Sequence, residues 1–226
     1  MRLRISHPIV ADAPGWPGNE IYEVDFVRTI DGGAVNNSGT FRMHEHYGTH
    51  MDAPFHFNSN GPRIAELPFD WFFYEKPLLL DIPKGSLELL EPEDFEPHAS
   101  RIAQVDFLMI RTGFGAVRAV DPKKYQMESP AISSRGCRYL VQNFGANLKA
   151  VCLDVQSLGN ASDTSGDGVE AHRWMLGSYT DGFICVIEDA DLSHVPAQGV
   201  RRAAAVPLFT VGTDSGPVTA WVEIDD

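Results

Sequence analysis

The stretch His46-Tyr47-Gly48-Thr49-His50-Met51-Asp52-Ala53-Pro54-Phe55-His56 places three histidines and one carboxylate within eleven residues. Imidazole and carboxylate groups bind zinc and manganese directly. All four side chains occupy even-numbered positions, so an extended backbone would present them on one face. Gly48 and Pro54 disfavour a helix, and Gly48 lets the chain bend so that His46 can approach His50. The stretch therefore predicts a metal site on an extended segment, with a histidine-rich surface loop as the alternative.

Short apolar runs outside this stretch predict the strands of a sheet. They cover residues 77–82, 105–111, 149–155, 183–188, 206–211 and 218–224, with further strands around 21–27 and 40–46. Several of these runs are continuously apolar, as is typical of strands buried on both faces.

Two helices lie between the later strands. The first is capped by Ser133 or Ser134 and stops at Gly145. Its apolar stripe consists of Cys137, Leu140, Val141 and Phe144. The second is predicted over 169–176. This alternation favours an α/β fold with a mixed β-sheet and packed helices. Since no repeat or linker divides the chain, we expect a single domain of residues 1–226.

Composition and charge restrict the possible partners. The chain has 226 residues and a formal net charge of −13, which disfavours nucleic acid and anionic membranes. No apolar stretch approaches the roughly 18 residues of a membrane span, and the first residues lack the apolar core of a signal peptide. Cys137, Cys152 and Cys185 are widely spaced, and two of them interrupt apolar runs. We therefore expect buried free thiols and a reducing cytoplasm.

Three later residues are further candidates for the site, since sites in α/β sheets collect beyond the carboxyl ends of strands. Glu188 closes the apolar run 183–187, where an unpaired buried charge would be costly. A metal ion, an arginine partner or solvent exposure would each explain it. Asp154 ends the preceding predicted strand. His172 lies on the second helix, where it is either a packing residue or a ligand.

The pattern H-x-G-T-H-x-D-x-P-x-H at 46–56 resembles that of the metal-dependent cyclase family, which includes the bacterial kynurenine formamidases (arylformamidases). Further similar segments occur at 14–18 (Pro-Gly-Trp-Pro-Gly), 108–113, 154–158 and 212–218. The resemblance implies the cyclase-like swivelling β/β/α fold and a homodimer or homotetramer. The intervals 157–172 and 172–188 look longer than in the formamidases.

The resemblance also implies roles for individual residues. The implied metal ligands are His46, His50, Asp52, His172 and Glu188. Asp52 and Glu188 would bridge two ions, so that each subunit holds one or two divalent metals. Zinc is the expected metal and manganese the alternative. His56 would be the catalytic acid/base, and Trp16 would line the substrate pocket.

The residues themselves suggest how such a site would react. A divalent ion activates water and polarises a carbonyl group. His56 can accept and donate a proton near neutrality. No Gly-x-Ser-x-Gly nucleophile motif occurs in the sequence, so attack by metal-activated water is favoured over an acyl-enzyme. Trp16 offers a stacking surface for an aromatic substrate, or else it anchors the N-terminal loop.

These inferences predict a metal-dependent hydrolase acting on the C–N bond of a small amide or formamide. The best single candidate substrate is N-formylkynurenine, which would give kynurenine and formate. One alternative is a cyclic amide such as isatin, or a lactone. The other is a metal-binding protein without turnover.

Overall fold

The computed structural model describes residues 1–19 and 22–225. Within these ranges the chain forms thirteen strands: β1 (Arg2–Arg4), β2 (Tyr22–Arg28), β3 (Ser38–Met43), β4 (His50–Asp52), β5 (Phe73–Tyr74), β6 (Pro77–Asp81), β7 (Leu89–Leu90), β8 (Phe107–Arg111), β9 (Ala131–Ile132), β10 (Ala150–Leu153), β11 (Cys185–Glu188), β12 (Val200–Pro207) and β13 (Ser215–Ile224). The α-helices are α1 (Pro92–Phe95), α2 (Ala99–Ile102), α3 (Pro122–Glu128), α4 (Ser134–Phe144) and α5 (Asp167–Met175). Short 3-10 helices occur at Pro54–His56, Ile64–Glu66, Phe69–Phe72, Glu96–His98 and Phe114–Val117.

Nine of the strands form one mixed sheet. Eight of them follow the order β5-β12-β13-β4-β11-β10-β8-β6, and β1 also pairs with β13. Strands β6, β8, β10 and β11 run parallel to their neighbours in this group, whereas β4, β12 and β13 pair antiparallel. The predicted α/β fold with a mixed sheet and packed helices is confirmed.

The core lies on both faces of the parallel strands. On β8, Leu108 and Ile110 pack into the cluster that includes helices α4 and α5, while Phe107 and Met109 pack on the opposite side with residues of β12 and β13. Successive side chains of a strand point to opposite faces, so a fully apolar run fills two layers at once. This explains why the four runs of parallel strands are recognisable in the sequence.

Helix α4 follows its predicted signals closely. The Ser133 hydroxyl accepts a hydrogen bond from the Gly136 N–H, and Gly145 follows the last turn. The apolar stripe predicted for this helix is buried. Helix α5 begins at Asp167, two residues before its predicted start, after Gly166 with a φ of 85°.

The predicted strand at 206–211 is wrong in its position. Strand β12 ends at Pro207, and Leu208 instead donates its N–H to the Pro217 carbonyl. Proline lacks the N–H needed to continue the hydrogen-bonding ladder of the sheet. The alanines that precede it are weak strand formers, so the apolar run that predicted the strand begins later in the chain than the strand itself.

The two less distinct strands form a hairpin apart from the main sheet. Strand β3 ends at Met43, before the predicted limit of residue 46, and Ile21 of the other predicted strand lies outside the described residues. Phe26 and Phe41 on this hairpin are 69% and 62% exposed. Among the described residues, none of the helices has the length and hydropathy required to cross a membrane.

Candidate active site

Two of the predicted ligands lie on β4, in the middle of the mixed sheet. His50 pairs with Glu188 of β11, and Asp52 pairs with Ser215 of β13. Alternate residues of a strand share a face, so both side chains point to the same side. His50 is 3% exposed and Asp52 is 1% exposed. The sheet therefore holds both groups rigidly and away from water.

The prediction of one extended segment from His46 to His56 is wrong, because only β4 is a strand. Gly48 has a φ of 68°, which bends the chain before β4. The bend brings Nδ1 of His46 to 3.0 Å from Oδ1 of Asp52. Beyond β4, the 3-10 turn at Pro54–His56 turns the last histidine back towards the others. The bend expected at Gly48, rather than full extension, gathers the side chains.

The donor atoms of this cluster have spacings that suit a metal ion. Nε2 of His50 lies 3.5 Å from Oδ1 of Asp52 and 3.3 Å from Oε2 of Glu188. Neighbouring ligands of a tetrahedral ion with bonds of 2.0–2.1 Å are about 3.4 Å apart. Both Asp52 oxygens and Nε2 of His50 are buried without a hydrogen-bond partner. Such atoms are normally satisfied, so a bound cation fits this donor set.

Two backbone carbonyls set the tautomers of the buried histidines. Nδ1 of His50 lies 2.8 Å from the Gly48 carbonyl, and Nδ1 of His172 lies 2.7 Å from the Gly168 carbonyl. A carbonyl oxygen can only accept, so both histidines carry a proton on Nδ1. Their Nε2 atoms are left facing the carboxylates, as in histidines that ligate a metal.

Glu188 lies between the two histidines. Its Oε1 accepts hydrogen bonds from the Leu158 N–H at 2.6 Å and the Ser157 hydroxyl at 3.0 Å. The same oxygen is 3.5 Å from Nε2 of His172. Burial alone would raise the pKa of Glu188, but the neighbouring His172 and His50 rings hold it well below its usual value. The Glu188 carboxylate is thus ionised in a buried, polar environment.

The arginine partner considered for Glu188 binds the next residue instead. Arg118 pairs with Asp189 through two contacts of 2.7 Å, and the Tyr125 hydroxyl donates to the same carboxylate at 2.8 Å. Asp189 has a φ of 54°, so the chain turns sharply directly after Glu188. This buried network fixes the backbone behind the cluster.

His46 shows how negative the cluster is in the absence of a bound cation. Burial would lower the pKa of His46, but the charge of Asp52 and hydrogen bonding to Asp214 raise it to about 11. A proton here partly neutralises the carboxylates, and a divalent ion would do so more completely.

His56 lies at the open side of the cluster. Its Nδ1 is 2.6 Å from Oδ2 of Asp214, and its Nε2 is 4.0 Å from Oδ2 of Asp52. The sequence pattern does not identify Asp214 as a site residue, although its segment 212–218 resembles a segment of the cyclase family. It lies 158 positions from His56, so no local spacing could connect them.

A cavity of about 300 Å³ adjoins the cluster. Its lining includes Trp16, Phe57, Asn160, Val169, His56 and His172. The Trp16 turn is fixed where the Gln126 side chain donates to the Gly15 carbonyl at 2.7 Å. Residues of the 157–172 interval form one wall of the cavity.

Asp154 does not join the site. Its carboxylate accepts hydrogen bonds from the N–H and hydroxyl of Thr112 and from the Gly113 N–H, at 2.7–2.9 Å. It holds the turn after β8 instead. The structure thus brings His46, His50, Asp52, His172 and Glu188 together, with His56 and Trp16 at the adjoining cavity. The roles assigned to these residues stay predictions.

Comparison with known proteins supports the resemblance to the cyclase family. The family model described as putative cyclase matches residues 3–160. A kynurenine formamidase from Bacillus cereus is 30% identical over 226 residues, covering 97% of this chain and 96% of the relative. The fold is also similar to that of isatin hydrolase A from Labrenzia aggregata, with a TM-score of 0.83, 19% identity, and coverage of 100% and 94%. A predicted metal-dependent hydrolase from Bacillus stearothermophilus superimposes with a TM-score of 0.72, 22% identity, and coverage of 98% and 97%.

The chain belongs to the cyclase family.

Proposed function

We propose that the protein is a metal-dependent hydrolase that cleaves the C–N bond of a small aryl amide. N-formylkynurenine is the first candidate substrate. The observation that carries the proposal is the position of His56, which has one ring nitrogen bound to Asp214 and the other directed towards Asp52 at the cavity. The 30% identity to a kynurenine formamidase over nearly the whole chain supports the choice of substrate.

Five residues would hold the metal: His46, His50, Asp52, His172 and Glu188. His and carboxylate ligands suit zinc, which we propose as the metal, and also manganese. The donor atoms divide into a cluster around Asp52 and a pair formed by His172 and Glu188, so we propose one or two ions per chain. When bound, the ion would make water more acidic and polarise the carbonyl group of the substrate.

The chain itself supplies the proton transfers. Nδ1 of His56 is occupied by Asp214, so Nε2 is the nitrogen available to the substrate. Cleavage of an amide requires a proton for the departing nitrogen, and an imidazole can both accept and donate a proton. His56 thus takes a proton from the attacking water and delivers it to the departing amine.

The cavity orients the substrate. Phe57 stacks on His172 with ring centroids 4.7 Å apart, and Trp16 contributes a second aromatic wall. Aromatic side chains favour aromatic ligands through offset or edge contacts. An aryl ring held there would leave its amide next to His56.

A cyclic amide such as isatin is the second candidate, and the lining of the cavity favours it. Among the described residues that line the cavity there is no lysine or arginine to pair with the carboxylate of an amino-acid substrate. An uncharged ring would need no such partner. The fold similarity to isatin hydrolase A agrees with this alternative without deciding it.

The deciding experiment compares the two substrates on one preparation. Metal-stripped protein is reloaded with zinc or manganese, and formate release from N-formylkynurenine is measured beside ring opening of isatin. We expect turnover of at least one substrate, dependent on added metal and strongly reduced in His56→Ala. Metal uptake without hydrolysis of either substrate would contradict the proposal and favour a metal-binding protein without turnover.

We also propose a cytoplasmic location. It is supported by Cys137, Cys152 and Cys185, which are all buried free thiols. Such thiols are common where the environment is reducing.

A further inference from the structure

Asp214 contacts two histidines of the site through a single carboxylate oxygen. Oδ2 lies 2.6 Å from Nδ1 of His56 and 3.4 Å from Nε2 of His46. The two imidazole rings are 4.3 Å apart between centroids and are inclined at 39°. One oxygen therefore lies beside both the proposed proton carrier and a proposed metal ligand.

The contact determines which nitrogens face the reaction. Oδ2 of Asp214 lies within hydrogen-bonding distance of one ring nitrogen of each histidine. An ionised carboxylate only accepts hydrogen bonds, so each histidine presents an N–H to it. The opposite nitrogens, Nδ1 of His46 and Nε2 of His56, then face Asp52 at 3.0 and 4.0 Å.

The backbone around Asp214 is fixed by the strands that carry the ligands. The carbonyl of Asp214 accepts the Ala53 N–H at 2.9 Å. The next residue, Ser215, pairs with Asp52 in the register of β13 and β4. Asp214 is thus anchored to the segment that continues from the ligand strand, and its side chain does not line the cavity.

We propose that Asp214 is a positioning residue. It holds the ring of His56 so that Nε2 faces the same region as Nδ1 of His46, the nitrogen that would bind the metal. The inference rests on the proposed function, because it uses the roles given there to both histidines. A carboxylate behind a metal-ligating histidine typically changes activity or metal affinity by about 10- to 100-fold when it is removed. Here the same carboxylate would also keep Nε2 of His56 aimed at the leaving group.

The kinetic test uses Asp214→Ala and Asp214→Asn, with Asp70→Asn as the matched control because Asp70 is exposed and belongs neither to the donor cluster nor to the cavity lining. We expect kcat to fall about 10- to 100-fold in both Asp214 variants at full zinc loading. KM should stay within about twofold, since Asp214 does not line the cavity. The control should match the wild type in both constants. An unchanged kcat would overturn the proposal, as would a loss of rate that merely follows a loss of zinc.

A second readout does not depend on turnover. Nitrogen-15 labelling of histidine, with long-range proton–nitrogen correlation, reports which ring nitrogen of His56 carries a proton. The signals are assigned by their absence in His56→Ala, and both zinc-loaded and metal-free protein are measured. We expect a proton on Nδ1 of His56 in the wild type and its transfer to Nε2 in Asp214→Ala.

The two readouts separate the proposal from the function on which it rests. If the wild type hydrolyses no aryl amide but shows the expected change in the His56 signals, the proposed function fails and the positioning contact stands. If the wild type is active but His56 carries its proton on Nε2 alone, or does not respond to Asp214→Ala, the positioning role is overturned and the function stands.

Discussion

His50 and Glu188 lie directly opposite each other on β4 and β11, with Nε2 of the histidine 3.3 Å from Oε2 of the glutamate. Both side chains are buried, and each faces the other across the sheet. Removing one partner of such a pair leaves the other without its counter-charge, which is costly in a buried site. Ligand substitutions should therefore affect both metal binding and stability.

We expect His50→Ala and Asp52→Ala to abolish turnover and to lower metal content. Each substitution removes a donor from the centre of the cluster, so the remaining groups should bind the ion less tightly. Elemental analysis after purification without added metal measures the loss. His194→Ala is the control, because His194 is exposed and belongs neither to the donor cluster nor to the cavity lining. Full metal occupancy with an unchanged rate in either ligand variant would refute the assignment.

His56→Ala should behave differently, keeping its metal while losing most of its rate. A general acid/base group typically contributes about 10²- to 10⁴-fold to catalysis. His56 lies at the edge of the donor cluster, and its Nδ1 atom is directed to Asp214. Metal content and kcat are measured on the same preparation. If this variant loses metal as readily as His50→Ala, His56 is a ligand.

The second metal position depends on Glu188 and His172. If both bind, a crystal structure of the loaded protein should show their donor atoms at about 2.0–2.2 Å from an ion. His172→Ala should then reduce the metal content from two ions per chain towards one. An unchanged stoichiometry, with His172 packed away from the ion, would reduce the site to a single metal.

Removal of the metal should destabilise the fold. Without a cation both Asp52 oxygens are buried and lack a hydrogen-bond partner. A ligand present at about 100 times its Kd stabilises the native state by about 2.7 kcal/mol. For a chain of this size that corresponds to a Tm higher by about 5–11 °C. Calorimetry before and after chelation, with zinc added back, measures the difference. An unchanged Tm after verified metal loss would contradict the expectation.

Trp16→Ala should weaken binding of an aromatic substrate more than it slows the reaction. The indole lines the cavity but has no group that could transfer a proton in the reaction, so KM should rise while kcat changes little. A stacked aromatic contact contributes about 0.5–1.5 kcal/mol beyond area burial, which predicts a KM increase of at least several-fold. An unchanged KM in a folded, metal-loaded variant would show that Trp16 only packs the N-terminal loop.

Capping residues and apolar patterns in the sequence predicted the elements whose formation depends on neighbouring residues. Helix α4 is marked by its cap and its apolar stripe, and the parallel strands by continuous apolar runs. The His46–His56 stretch identified several candidate ligands because their spacing is short. Asp214 and the start of β12 were not predicted, since one depends on a contact 158 positions away and the other on weak strand formers.

The position of β4 in the sheet also determines when the site can form. Asp52 pairs with Val186, 134 positions further along the chain, and with Ser215, 163 positions further along. Closing loops of that length has a large entropic cost, and contacts so distant in sequence form slowly during folding. On the ribosome, the histidine-rich stretch emerges long before either neighbouring strand has been synthesised. The complete cluster of donor side chains therefore assembles late in the maturation of each new chain.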